Sequence, residues 1–174
     1  MTDVNVSNGF QAEEAWIEAE RACFNYVCDA VGYKNGLNAF IGDSIPDNKA
    51  NLFAFSIYGG PEQVMAKQCP RPQKSFVSTA ALVAQFKDRV DAQRFAGRLI
   101  NQLPAFDDPE KRTGRSGQDQ ISLQPNVAIF ELDTHPSMES RVIELDGSDK
   151  VVQFWLLRMD FTIVYTNYFV GDSN

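Results

Sequence analysis

The chain holds one histidine, His135, in Asp133-Thr134-His135-Pro136, and this is the first place to look for chemistry. A nearby aspartate such as Asp133 can orient an imidazole as a general base. A Ser/His/Asp triad, however, places its nucleophile on a strained turn, and no Gly-x-Ser-x-Gly occurs. His135 before Pro136 therefore reads as a turn residue. The three cysteines, Cys23, Cys28 and Cys69, form no CxxC pair. At about 100° per residue, Cys23 and Cys28 would point apart on a helix. All three read as buried free thiols. With a single histidine, a zinc site lacks its usual ligands. Asp107 and Asp108 lack the spacing of a calcium loop and read as a solvated face. Thr113-Gly114-Arg115-Ser116-Gly117 lacks the GxxxxGK[ST] pattern of a phosphate loop and no helix follows it. No catalytic residue, cofactor or metal is expected.

What remains are residues suited to contact. Lys111, Arg112 and Arg115 lie in a polar loop over 105–125, offset by Asp107, Asp108, Glu110 and Asp119. A role near a backbone phosphate stays open for them. Tyr168 and Phe169 follow the last strand, where a chain end otherwise frays. Apolar side chains there predict a tail that docks on something, such as a neighbouring copy. These five residues are the interface candidates.

The elements that must position them are legible from periodicity. A first helix is predicted over about Phe10–Val31, with Ser7 or Asn8 as cap and Gly32 as its left-handed stop. Its apolar face is Ala12, Trp16, Ala19, Cys23, Tyr26, Val27 and Ala30, with Glu13, Glu14, Glu18, Glu20 and Arg21 mostly off it. Ile45-Pro46-Asp47-Asn48 reads as a turn. Leu52–Tyr58 reads as a strand ended by Gly59-Gly60-Pro61, and 61–74 as a loop. Phe76–Phe86 is apolar or small on both sides, which predicts an inner strand covered on both faces. Asp88 then caps a second helix whose stripe is Ala92, Phe95, Ala96, Leu99, Ile100 and Leu103, stopped by Pro104. The 105–125 loop exceeds the roughly 12–15 residues usual in a compact domain, which marks it as functional or disordered. Strands follow at about Val127–Asp133 and Arg141–Leu145. A turn at Asp146–Asp149 then makes a hairpin to Val151–Tyr165. That last strand is far longer than the usual 5–6 residues, so it bends, twists strongly or runs past its sheet. The order predicts a single α+β domain over 1–174: a mostly antiparallel, twisted sheet with two amphipathic helices packed on one face.

Composition narrows the function. Forty-four per cent hydrophobic residues, with thirteen phenylalanines, supply a core for a 174-residue chain. A net charge of −7 speaks against duplex-DNA binding, which draws its affinity from neutralised phosphates. No stretch nears the ~20 apolar residues of a membrane span, and Met1–Asn5 lacks the features of a signal peptide. The expectation is a cytoplasmic protein.

The order of elements resembles the tail terminator, or tail-completion, proteins of long-tailed bacteriophages, also described as minor tail or tail-to-head joining proteins. The likeness rests on the leading helix, Asn38-Ala39-Phe40, Ile45-Pro46, and the strand ending Tyr58-Gly59-Gly60. It continues through Ala80–Leu103 with Arg89, Ala92, Ala96 and Leu99, a strand near Val127, the Pro136 turn, the acidic hairpin and the aromatic last strand. Membership would imply a homohexameric ring that stops tail-tube growth and meets the head connector. The implied partners are further copies of the chain, the tail tube protein and the connector protein. DNA would pass through the lumen without sequence-specific binding, and no membrane is involved. The implied location is the virion head–tail joint, reached from the host cytoplasm. The chain departs from the family pattern in its longer 61–74 and 105–125 segments. Two alternatives stand beside this: another neck or connector component, and a small cytoplasmic enzyme or ligand-binding domain with its site near His135 and Asp133.

Overall fold

A computed structural model describes residues 12–58, 62–64, 75–103, 127–133, 135–144, 147 and 150–166. Its elements run α1 (Ala12–Val31), β1 (Ala39–Ile41), β2 (Leu52–Ile57), β3 (Glu62–Val64), β4 (Ser75–Phe86), α2 (Arg89–Gln102), β5 (Val127–Leu132), β6 (Ser137–Glu144) and β7 (Val151–Thr166). All the described strands join one seven-stranded sheet. Every pairing is antiparallel except β1 with β2. The fold is α+β, as the order of elements predicts.

The spine is the pair β4–β7, which stays in continuous register from Ser75↔Thr166 to Phe86↔Trp155. Because side chains alternate along a strand, this register puts Phe76, Ala80, Leu82, Ala84 and Phe86 on the same face as Leu157, Met159, Phe161, Ile163 and Tyr165. Phe53, Phe55 and Ile57 of β2 and Phe130 of β5 join that face. All of these are buried, and both helices pack over them. The phenylalanines account for much of the contact. Phe95 of α2 meets Phe86 and Phe53 at ring-centroid distances of 5.3 and 5.7 Å, and Phe130 meets Phe161 at 4.7 Å. Tilted aromatic pairs at these distances add to the burial they provide.

α2 follows its sequence. Asp88 is the N-cap, its Oδ1 accepting from Val90 N at 2.6 Å. Ala92, Phe95, Ala96 and Leu99 are buried, and Leu103 is partly so. Ile100 is the exception: it stays exposed at the edge of the stripe. α1 buries a wider stripe than its spacing suggested. Phe24, Cys28 and Val31 go in beside Ala19, Cys23 and Val27. Gly32 ends it at φ +77°, its N–H donating to Cys28 O at 2.8 Å. The predicted cap at Ser7 or Asn8 lies outside the described residues. Glu20, which spacing sets mostly off the apolar face, turns inward and its Oε1 accepts from Ile57 N at 2.8 Å. β1 has ended by that level of β2, so the carboxylate takes the place of a strand on that edge.

Two strands lay beyond hydrophobic periodicity. β3, inside the expected 61–74 loop, is Glu62-Gln63-Val64, too short and polar to announce itself. β1 is equally short. β6 starts at Ser137 rather than Arg141 because its first half, Ser-Met-Glu-Ser, lies mostly exposed at the sheet edge and has no apolar alternation. The long β7 resolves in one of the three ways expected. Its first residues, Val151–Phe154, run past β4 and, among the described residues, pair with β6 alone.

Both outer strands of the spine are interrupted in the same manner. On the β7 side, Asp133 N donates to Asp160 O, and pairing resumes at Ser137↔Arg158. On the β4 side, Tyr58 N donates to Thr79 O, and pairing resumes at Glu62↔Val77. In each case the outer chain advances four residues while the spine advances two. β5 with β6, and β2 with β3, thus behave as two broken strands flanking the spine rather than four separate ones.

Candidate assembly surface

The opposite face of the sheet comes from the other side-chain set: Leu52, Ala54 and Ser56 of β2, Val77 to Gln85 of β4 at odd numbers, and Val152 to Val164 of β7 at even numbers. The prediction that β4 is covered on both faces needs correction. On this side Ala81 and Gln85 are buried, but Val77, Thr79 and Val83 are only partly so.

One end of the face is closed by the β1–β2 crossover, residues 42–51. Gln85, fully buried, holds it. Its Nε2 lies within hydrogen-bonding distance of three carbonyls, Lys49 O at 2.6 Å, Asp47 O at 3.2 Å and Pro46 O at 3.4 Å. Its own backbone carbonyl accepts from Asn51 N at 2.6 Å. One glutamine thus pins both limbs of the crossover. Gln85 Oε1 has no partner among the described residues, which is the polar cost of that arrangement. Arg141 of β6 adds an ion pair to Asp47 at 3.3 Å. Phe154 is buried on the same end of this face.

The middle of the face is polar and its borders are apolar. Arg158 makes a two-toothed contact with Asp160, its Nε at 3.1 Å and its Nη2 at 2.9 Å from Oδ1. The hydrogen bonds and charge of Asp160 raise the Arg158 guanidinium above its usual range, so it is charged at any working pH. The same guanidinium lies 6.0 Å from the ring centroid of Tyr58, which is 54% exposed. Ala81 pairs with Asp160 and with Ser56. These small residues between β2 and β7 leave room for the arginine to reach Tyr58. Around this cluster Val83 and Leu156 on one side, and Val77 and Val164 on the other, are half-buried.

The residues singled out for chemistry do not converge. Asp133 Oδ1 accepts from Thr162 Oγ1 at 3.5 Å. No hydrogen bond joins it to His135, which is exposed. Cys23 and Cys28 are buried free thiols as expected, and Cys69 lies outside the described residues. Among the described residues no three of His, Cys, Asp and Glu gather as a metal ion requires. No described helix is long and apolar enough to cross a membrane. The interface candidates Lys111, Arg112, Arg115, Tyr168 and Phe169, and the 105–125 loop, lie outside the described residues. Tyr58, Arg158 and Asp160 were not singled out from sequence, although the signal was there. Arg158, Asp160 and Thr162 occupy alternate positions in an otherwise apolar strand, which puts three polar side chains on one face. Compared with family models and with curated proteins, the sequence matches none of either.

Proposed function

We propose that this chain is a structural virion protein whose copies form a ring that ends the tail tube and joins the tail to the head connector. The observation that supports this best is the face of the sheet on which no helix packs among the described residues. It sets a charged, aromatic centre of Tyr58, Arg158 and Asp160 among half-buried valines and a leucine. Tyrosine and arginine, like tryptophan, are enriched at the energetic centres of protein interfaces. The overhanging β6–β7 hairpin, with Val142 and Val151 exposed, gives a second apolar contact on a different side of the subunit. Two unlike contact regions are what a closed ring needs, since each copy meets its neighbours through different surfaces.

In this reading the partners are six copies of the chain, the tail tube protein and the head connector protein, with no membrane and no sequence-specific nucleic acid contact. The net charge of −7 suits a lumen through which DNA slides. The protein works at the head–tail joint of the virion and reaches it through the host cytoplasm. The copy number and partners rest on the resemblance of the chain to tail terminators.

The test is reconstitution. Purified protein is added to tail tubes, and the products are examined by electron microscopy and by solution mass. The reading expects a ring at the head-proximal end of each tube, and over-long tubes when the protein is withheld. Absence of the protein from purified virions would overturn it.

A further inference from the structure

On the helix side of the molecule, away from the face just described, a cleft of about 250 Å³ opens between the end of α1, the start of β2 and the flank of α2. Its lining is Tyr33, Asn51, Asp91, Arg94, Phe95 and Arg98. Three features make this more than a surface dimple. First, it has a rigid aromatic wall. Phe95 is buried, and the Tyr33 ring stands edge-on to it at 5.4 Å. Second, two guanidinium groups share it. Arg94 and Arg98 are one helical turn apart, and like charges at that spacing disfavour the helix on their own. Arg94 has a loose ion pair with Asp91 at 3.4 Å, whereas Arg98 has none among the described residues. Third, Asn51 is set in place by the crossover clasp. It sits at φ +58°, a left-handed conformation that asparagine accepts more readily than most residues. Its backbone N–H is bound to Gln85 O.

We propose that this cleft binds a small monoanionic carboxylate with a planar apolar body, such as an aromatic acid. The charge follows from the lining: two arginines and one aspartate leave a single excess positive charge, and Asp91 works against a dianion. The guanidinium fork matches a carboxylate edge in two parallel hydrogen bonds. The planar body lies along Phe95 and Tyr33. Size sets the upper limit, because the space is below the roughly 300–1,000 Å³ of ordinary ligand pockets. A nucleotide or a folded peptide segment does not fit. The Tyr33 hydroxyl is also tuned by this setting. Burial and the Asp91 charge raise its pKa while Arg98 opposes them, so it stays protonated and can donate to the bound acid. This site stands apart from the proposed ring contacts and does not depend on them.

The experiment is a titration of the full-length, 15N-labelled protein with sodium benzoate, read by two-dimensional NMR. Acetate and inorganic phosphate are titrated in parallel at matched ionic strength. Saturable shifts centred on Tyr33, Asn51 and Phe95 are expected, with phosphate and acetate binding more weakly. Arg98→Gln and Arg94→Gln should each weaken benzoate by about tenfold or more, the loss of a charge-assisted hydrogen bond. Both arginines are on the outer flank of α2, and unchanged spectra elsewhere confirm that each variant folds. Shifts that never saturate, or that are unaltered in both variants, overturn the site. Phosphate binding as tightly as benzoate overturns its assignment to a planar carboxylate.

Discussion

A buried amide such as Gln85 is costly unless its geometry is useful, and here it closes a loop. Replacing it tests the clasp. Gln85→Leu keeps the bulk but leaves the carbonyls of Pro46, Asp47 and Lys49 without their donor. A loss of about 1–3 kcal/mol in urea unfolding is expected. Gln85→Glu should be worse at neutral pH, because a carboxylate can only accept and would face three acceptors. The introduced group then has a folded pKa raised above its unfolded value of about 4.3. Its neutral form can donate, so this variant should regain stability as pH falls toward that value and lose it as pH rises. The same arithmetic applies to the native thiols. Burial, aided by the charge of Asp29, pushes Cys28 up to about 11, and burial, aided by Glu20, raises Cys23 further. Their neutral forms are the folded ones, so the contribution of Cys28 is intact below its unfolded pKa near 9 and is lost as pH rises through about 11. Tyr26, Tyr33 and Tyr165 act in the same direction. Unfolding midpoints should therefore drop on the alkaline side. At pH 8, iodoacetamide should label Cys23 and Cys28 slowly in the native protein and quickly in urea, as read by peptide mass spectrometry.

At the scale of elements, α2 gives the cleanest test of cap against core. Asp88→Ala removes the acceptor for Val90 N, at a cost of about 1 kcal/mol. Leu99→Ala empties a fully buried site, at a cost of about 2–5 kcal/mol. Denaturant midpoints that fail to separate the two would show that α2 does not pack as described. Helix α2 was legible because its cap, its stripe and its stop all fall within a short stretch and agree. The spine strands were legible because both are apolar and long. β1 and β3 were not, since three residues cannot display a period, and their places are fixed by neighbours rather than by their own composition. The first half of β6 was hidden for a related reason. An edge strand with water on its flank can be polar throughout, and its pairing comes from the adjoining strand. The inward turn of Glu20 was hidden too, because a free strand N–H on a distant element cannot be read from helical spacing.

At the scale of the molecule, the face around Tyr58, Arg158 and Asp160 makes a claim about assembly that stability measurements alone cannot test. Val83→Asp places a charge at its apolar border, and Arg158→Glu reverses the sign beside Asp160. Arg158 is exposed and Val83 half-buried, so both variants should fold, Arg158→Glu with the smaller change in midpoint. Each should also fail to form rings or to finish tails, as counted by electron microscopy against wild type. Folded variants that still give complete virions would remove this face from the interface. The surface was only partly foreseeable. Sequence shows which side chains alternate, but Tyr58 and Arg158 lie a hundred positions apart, and only the β2–β4–β7 pairing makes them neighbours. The continuous β4–β7 register has one more consequence, which is mechanical. Pulled in opposite senses along their length, these strands must release all their paired positions, Ser75↔Thr166 to Phe86↔Trp155, together. The flanking strands, broken beside Thr79 and Asp160, can let go in short pieces. The subunit should therefore be stiff along its spine and compliant across it. A part clamped between two larger bodies would carry axial load along one direction while its rim adjusts to whatever it touches.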